Sequence, residues 1–198
     1  MARIGAIHLV SGIGKLNGWA FLFAMFFVGI LAPFINTASA AEIGARACRY
    51  PPRGTRGWGP SRAAQYGLSS VEYRDAIDDR VMYIPIIESA EAIDNIGAIV
   101  GIDGVDTCVV GPVDLSISLG VPFDYRSGAF QAALAAVVDA CDRAGKPAGI
   151  GVYEPAFDPA ACQTQIEAGF RLLLAGGDEY FLTESCRKIL QPLGKSVA

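Results

Sequence analysis

Residues 81–89 read VMYIPIIES. The first seven carry no charge and are apolar at every position, not at alternate ones, which is the pattern of a strand covered on both faces. Similar short runs recur at 106–111 (DTCVVG), 148–152 (AGIGV) and 170–175 (FRLLLA). Between them the period becomes that of a helix. Over 128–144, Phe130, Ala133, Leu134, Val137, Val138 and Cys141 share one stripe, while Asp139, Asp142 and Arg143 face away. Ser89 can cap a helix that buries Ala92, Ile93 and Ile96, and Asp158 before Pro159 opens another that Gly169 closes. Further helices are expected over 71–80 and 179–190, the last burying Leu182, Cys186, Ile189 and Leu190. Strands joined by helices imply parallel pairing, because a parallel connection must cross back over the sheet. The fold class is α/β with about four β/α units, and chemistry is expected at the carboxyl ends of the strands.

The whole chain has 198 residues, 52% of them hydrophobic and 18% charged, with a net charge of −4. That composition suits a globular core and excludes a disordered or collagen-like chain. With no cluster of Lys or Arg, it lacks the electrostatic footprint of a nucleic-acid binder. The five cysteines (Cys48, Cys108, Cys141, Cys162, Cys186) show neither CxxC nor zinc spacing, and the single histidine is His8. Such a dispersed, odd set reads as reduced core thiols.

The apolar excess is concentrated early. No charge occurs between Lys15 and Glu42, and residues 19–35 (WAFLFAMFFVGILAPFI) are almost wholly apolar. Residues 1–40 are therefore expected to be a hydrophobic leader helix, preceded by Arg3 and Lys15 and ending in the small residues up to Ala40 and Ala41. A membrane anchor making contact through 19–35 is the alternative, and an altered reading frame is a third. An exported leader conflicts with reduced thiols, so localisation stays open between membrane or export and cytoplasm. The body is expected over 41–198.

Two carboxylates meet the rule for site placement. Glu88 ends the first strand and Asp114 follows the second (VVGPVD). Adjacent strands lie roughly 4.8 Å apart, so acids at their ends can converge on one hard divalent ion such as Mg²⁺ or Mn²⁺. The competing reading is that Glu88 caps the helix starting at Ser89 and Asp114 caps a turn. Residues 49–60 (RYPPRGTRGWGP) form a stiff loop with three arginines, either an anion-binding loop or a tight connection with its arginines in solvent.

The runs CRYPPRGTRGWGPSRAAQYG, IPIIES, GIDGVDTCVVGPVDLSISLG, AGKPAGI and GFRLLLAGGD, in that order, resemble the HpcH/HpaI aldolase family over about residues 41–190. The resemblance implies the C-terminal portion of a TIM-type (β/α)₈ barrel, which typically needs roughly 250 residues. It also implies homo-oligomers and metal-dependent, reversible cleavage of 4-hydroxy-2-oxo acids to pyruvate and an aldehyde. Glu88 and Asp114 match the family's metal-ligand carboxylates, and the backbone at Val113 and Asp114 matches the position that holds the pyruvate carboxylate. Ile86 stands where the family often has a glutamine. The family's histidine base and carboxylate-binding arginine have no counterpart in the matched runs, and His8 fits no motif around the base. A non-catalytic fragment binding a divalent metal and a small 2-oxo acid is the second reading, and a citrate-lyase-like enzyme acting on acyl-CoA esters the third. The YPP loop and GPVDLS favour the aldolase branch.

Overall fold

The computed structural model describes residues 29–152 and 159–193. In chain order, β1 (Gly29–Ala32) leads to α1 (Ala38–Ala47), and α2 (Ser70–Ile77) precedes β2 (Met82–Ile87). Two short helices, α3 (Ala90–Asp94) and α4 (Ile96–Val100), join β2 to β3 (Cys108–Val110). Then come α5 (Pro112–Ser118), α6 (Gly128–Arg143), β4 (Ala148–Val152), α7 (Pro159–Glu167), β5 (Leu172–Ala175) and α8 (Asp178–Leu190). The five strands pair in parallel in the order β1-β2-β3-β4-β5. The sheet is curled into half of a TIM-type barrel.

Alternation along the strands divides the apolar residues between two faces. Tyr83, Ile87, Cys108, Val110, Ala148 and Ile150 belong to the main core, together with Ile99, Val137 and Phe170. Leu31, Ile84 and Val109 form a second cluster on the concave face, flanked by half-buried Met82, Ile86, Leu172 and Leu174. Both faces of each strand are thus occupied, which is why 81–87 reads as a continuous apolar run. The helix layer lies close against the sheet. At Gly44 on α1, an added Cβ would stand 2.0 Å from the Tyr83 hydroxyl oxygen. Side-chain caps fix the helix starts: Thr37 Oγ1 accepts from Ala40 N–H, Ser89 Oγ from Ala92 N–H and Ser127 Oγ from Phe130 N–H.

Four strands occur where their patterns place them, and α6 buries the expected stripe of Phe130, Ala133, Leu134, Val137 and Cys141. Other expectations need correction. Among the described residues the sheet has five strands, not four, and the additional one lies inside the supposed leader. Residues 29–32 form β1, paired with β2, and Thr37 caps a helix that runs through Ala40 and Ala41. The physical reason is that a strand buried on both faces is as apolar as a leader, so hydropathy cannot separate them. The part of the leader expected over residues 1–28 lies outside the described residues. Among those described, no helix is long and apolar enough to cross a membrane. The helix opened by Ser89 breaks at Asn95 into α3 and α4, with Ala92 and Ile96 buried. α8 is a helix, but Leu182, Cys186 and Ile189 are exposed and no residue of it is buried. Its stripe has the right period, yet a period supplies no surface to bury it on. Asp158 lies outside the described residues, whereas Gly169 closes α7 with φ of 108°. Cys48, Cys108 and Cys141 are buried core thiols, Cys162 is half-buried and Cys186 exposed.

Candidate active site

Glu88 follows the last residue of β2 and shares the parity of Ile84 and Ile86, so its carboxylate stands at the carboxyl end of the concave face. It is 7% exposed. One oxygen, Oε1, accepts a hydrogen bond of 2.6 Å from the Phe34 N–H in the loop after β1. Phe34 adopts φ of 54°, the left-handed region, which for a bulky residue costs roughly 1–2 kcal/mol. That turn aims its N–H at the carboxylate. The other oxygen, Oε2, faces Gly111 at the end of β3, where an added Cβ would be 3.0 Å from it.

Asp114 lies in the first turn of α5, exposed to solvent. Its charge reaches Glu88. Burial raises the Glu88 carboxyl above the ordinary range, the Phe34 N–H opposes that rise, and the Asp114 carboxylate adds to it. Among the described residues, no acceptor takes up the first N–H groups of α5. Pro112 has no N–H, and the first N–H to turn back is that of Leu115, onto Gly111 O at 3.0 Å. Val113 and Asp114 therefore keep the outward N–H groups of a helix start.

Hydrogen bonds over long sequence separations hold these arms together. Ser118 Oγ accepts from Ala90 N–H, tying the end of α5 to the start of α3. Ser116 is fully buried, donating to Val113 O and accepting from Phe123 N–H. Ser89 Oγ donates to Asn36 Oδ1, and Asn95 Nδ2 donates to Asn36 O, which locks the β1 loop against the β2 loop. Phe34, Asn36 and Ser118 had no signal in the sequence as site residues. Their partners are 28 to 59 positions away, and only Asn36 has a side chain of conspicuous polarity.

Glu88 does not cap the helix after it, since Ser89 takes that role. Among the described residues no group of three or more His, Cys, Asp or Glu could hold a metal ion, so any cation here would rest on the Glu88 and Asp114 pair, backbone and water. The donor set is nonetheless hard oxygen, and two acids of which one is buried suit a divalent ion. A cavity of about 270 Å³ borders Val113 on the helix side, against Phe130, Ile150 and Val152, without touching Glu88 or Asp114.

Two of the three arginines in the 49–60 loop are buried in the fold, not in solvent. Arg49 is buried and reaches Asp106 Oδ2 at 3.3 Å, an oxygen that also accepts from Tyr83 N–H at 2.8 Å. Arg56, also buried, lies 4.7 Å from the Tyr50 ring centroid and donates to the Tyr73 hydroxyl. These contacts lie at the amino ends of β2 and β3, opposite Glu88. Only Arg53, paired with Asp79, is in solvent.

Residues 9–173 match the model of the family described as HpcH/HpaI aldolase/citrate lyase. The chain belongs to this family. The match reaches upstream of the motifs that carry the resemblance and covers β1. Among curated relatives, a hydroxypyruvate/pyruvate aldolase of Rhizorhabdus wittichii is 33% identical over 165 residues, covering 82% of this chain and 63% of that protein. A 4-hydroxy-4-methyl-2-oxoglutarate aldolase of Chaetomium globosum is 38% identical over 132 residues, covering 64% of this chain and 48% of that protein. A 2-keto-3-deoxy-L-rhamnonate aldolase of Klebsiella pneumoniae is 34% identical over 158 residues, covering 79% and 57%. This chain therefore spans about half to two thirds of the length of these relatives. A crystal structure of an HpcH/HpaI aldolase/citrate lyase family protein from Burkholderia cenocepacia superimposes with a TM-score of 0.76 at 33% identity, covering 85% of this chain and 66% of that one.

Proposed function

We propose that this chain carries the cation- and carboxylate-binding part of an aldolase-type carbon–carbon lyase site. Glu88 and Asp114 hold a divalent cation, Mg²⁺ or Mn²⁺, and the Val113 and Asp114 N–H groups receive the carboxylate of a small 2-oxo acid. The observation that carries this reading is the state of Glu88: buried, fixed through one oxygen by Phe34, and made reluctant to ionise by burial and by Asp114. A divalent cation reverses both penalties. When bound, it supplies Lewis-acid polarisation of the oxo acid. The protein groups bind and orient: the two carboxylates balance charge, the α5 amides fix the substrate carboxylate, and Ser118 and Phe34 hold the two arms in register. Reversible cleavage of a 4-hydroxy-2-oxo acid to pyruvate and an aldehyde is the reaction class, supported by the aldolase names of the relatives.

A second reading, binding without turnover, is favoured by one specific feature. The described residues include no histidine, and general-base chemistry on the substrate hydroxyl needs a group within hydrogen-bond reach. Homo-oligomer formation belongs to the same proposal. β1 and β5 each pair on one side among the described residues, and open edges favour association, which light scattering measures.

Titration calorimetry with Mn²⁺ tests the site. The expected result is saturable binding, strengthened by pyruvate and lost in Glu88→Gln and Asp114→Asn. Unchanged affinity in both variants overturns the assignment. Coupled detection of pyruvate release from 4-hydroxy-2-oxo acids then separates the two readings.

A further inference from the structure

At the amino end of the sheet, opposite Glu88, two thiols face one another. Cys108 opens β3 and Cys141 lies near the end of α6, and their Sγ atoms are 3.5 Å apart across the interface between sheet and helix layer. Both are fully buried. Bond formation at about 2.05 Å requires an approach of about 1.5 Å, a displacement within reach of side-chain rotation and a small helix adjustment. We propose that Cys108 and Cys141 are an oxidative modification site, forming a reversible intrachain disulfide under a small hydroperoxide.

The surroundings supply the polarity that a buried thiol pair ordinarily lacks. Lys146, in the turn between α6 and β4, donates to Val100 O at 2.6 Å and Ile102 O at 3.0 Å, which anchors its ammonium beside the pair. Cys108 is pushed up by its hydrogen bond with Cys141 and by burial; for Cys141 the same hydrogen bond acts downward against burial and the Asp142 charge, and the Lys146 charge lowers both. Each Sγ can donate to the other, so either thiol can react first. Its thiolate attacks one peroxide oxygen, giving a sulfenic acid and releasing the other oxygen as hydroxide or alkoxide, which takes up a proton. The second thiol then attacks the sulfenic sulfur, losing its proton as water leaves. Two thiols and one hydroperoxide yield one disulfide with water and, for an organic peroxide, an alcohol. The neighbouring thiol makes the second step intramolecular, and so outpaces further oxidation of the sulfenic acid.

The other three cysteines provide an internal contrast. Cys186 is exposed and Cys162 half-buried, so each oxidises singly or between molecules, and Cys48 is buried. Burial raises the Cys48 thiol to about 11. The experiment uses the full chain with Cys162→Ser and Cys186→Ser, leaving three thiols. The folded protein is treated with hydrogen peroxide, unfolded, and alkylated with N-ethylmaleimide before intact-mass and peptide analysis. Expected are the loss of two alkylatable thiols together, a peptide pair joining residues 108 and 141, and recovery of both thiols with dithiothreitol. The staple closes a loop of 33 positions, so the oxidised form should melt roughly 5–10 °C higher than the reduced one. Retention of all three thiols after methionine oxidation is already detectable overturns the proposal, as does a disulfide involving Cys48 or a sulfinic acid at either partner. Because the decisive measurement keeps both core cysteines, it does not depend on the folding of a core variant.

Discussion

Gly111→Ala isolates the geometry of the Glu88 carboxylate. Gly111 has φ of −89° and ψ of 95°, a conformation open to any residue, so the new methyl acts only through contact. It would stand 3.0 Å from Glu88 Oε2, 3.2 Å from Glu88 Cβ and 3.3 Å from Ile86 Cγ2. Ordinary van der Waals contact begins near 3.4 Å, so the carboxylate must withdraw by about 0.4 Å. Its other oxygen is tied to Phe34 N–H at 2.6 Å, which makes withdrawal a distortion of that bond. Small divalent ions hold oxygen ligands at about 2.0–2.1 Å with little tolerance, and disturbing the groups that orient a ligand costs about 10–100-fold in affinity. The Mn²⁺ dissociation constant should therefore rise about 10–100-fold, or about 1.4–2.7 kcal/mol. The fold itself loses only the Gly helix cap, about 0.5–1 kcal/mol, lowering the melting midpoint by about 1–4 °C. Gly97→Ala is the matched control: its Cβ has nothing within 4 Å, so affinity stays unchanged and the α4 helix gains about 0.5–1 kcal/mol. Calorimetric titration of Mn²⁺ and melting in chelator read the two effects separately. Wild-type affinity in a folded Gly111→Ala protein would refute the geometry.

Three further outcomes follow from other contacts. Because the folded Glu88 carboxyl is raised by burial and then by Asp114, its contribution is fully present below the unfolded carboxyl value of about 4.3 and is lost as pH rises through the raised folded value. In chelator, the stability of wild type relative to Glu88→Gln should fall from acid toward neutral pH, and a pH-independent difference in urea midpoints counts against it. Asp106→Ala removes the acceptor of both Tyr83 N–H and buried Arg49; with Asp106 itself 38% exposed, the loss should be about 2 kcal/mol, and an unchanged urea midpoint contradicts the network. Gly44→Ala drives a methyl to 2.0 Å from the hydroxyl oxygen of Tyr83, itself 1% exposed, and should cost about 3 kcal/mol, a fall of about 6–12 °C. A midpoint within about 2 °C of wild type would show that α1 leaves room for the methyl against Tyr83.

Much of the sheet was legible because the strands of a doubly covered sheet are apolar without interruption, and β2, β3, β4 and β5 each carry that mark. The same mark hid β1. GILA sits at the end of a longer apolar run, where buried strand and leader have one signature, and only its pairing with β2 distinguishes them. Helix α6 was readable down to its buried stripe, since an amphipathic helix writes its buried side in its period. Helix α8 has the same kind of period, but Leu182 and Ile189 are exposed. The arginine loop shows the converse, because guanidinium groups rich in donors suit an active site or a buried network equally well, and Asp106 and Tyr73 decide between them.

By itself, the sequence determined the parallel α/β architecture, the family, and the placement of Glu88 and Asp114 at strand ends, because these are written in local period and in short motifs. The tertiary structure alone decided what surrounds those acids. The turn at Phe34 and the hydrogen bonds that Asn36 accepts from Ser89 and Asn95, and Ser118 from Ala90, join residues 28 to 59 positions apart, while Gly111 closes on Glu88 from the next strand. Residues that distant in the chain meet only once the sheet has curled, and no local pattern encodes the meeting.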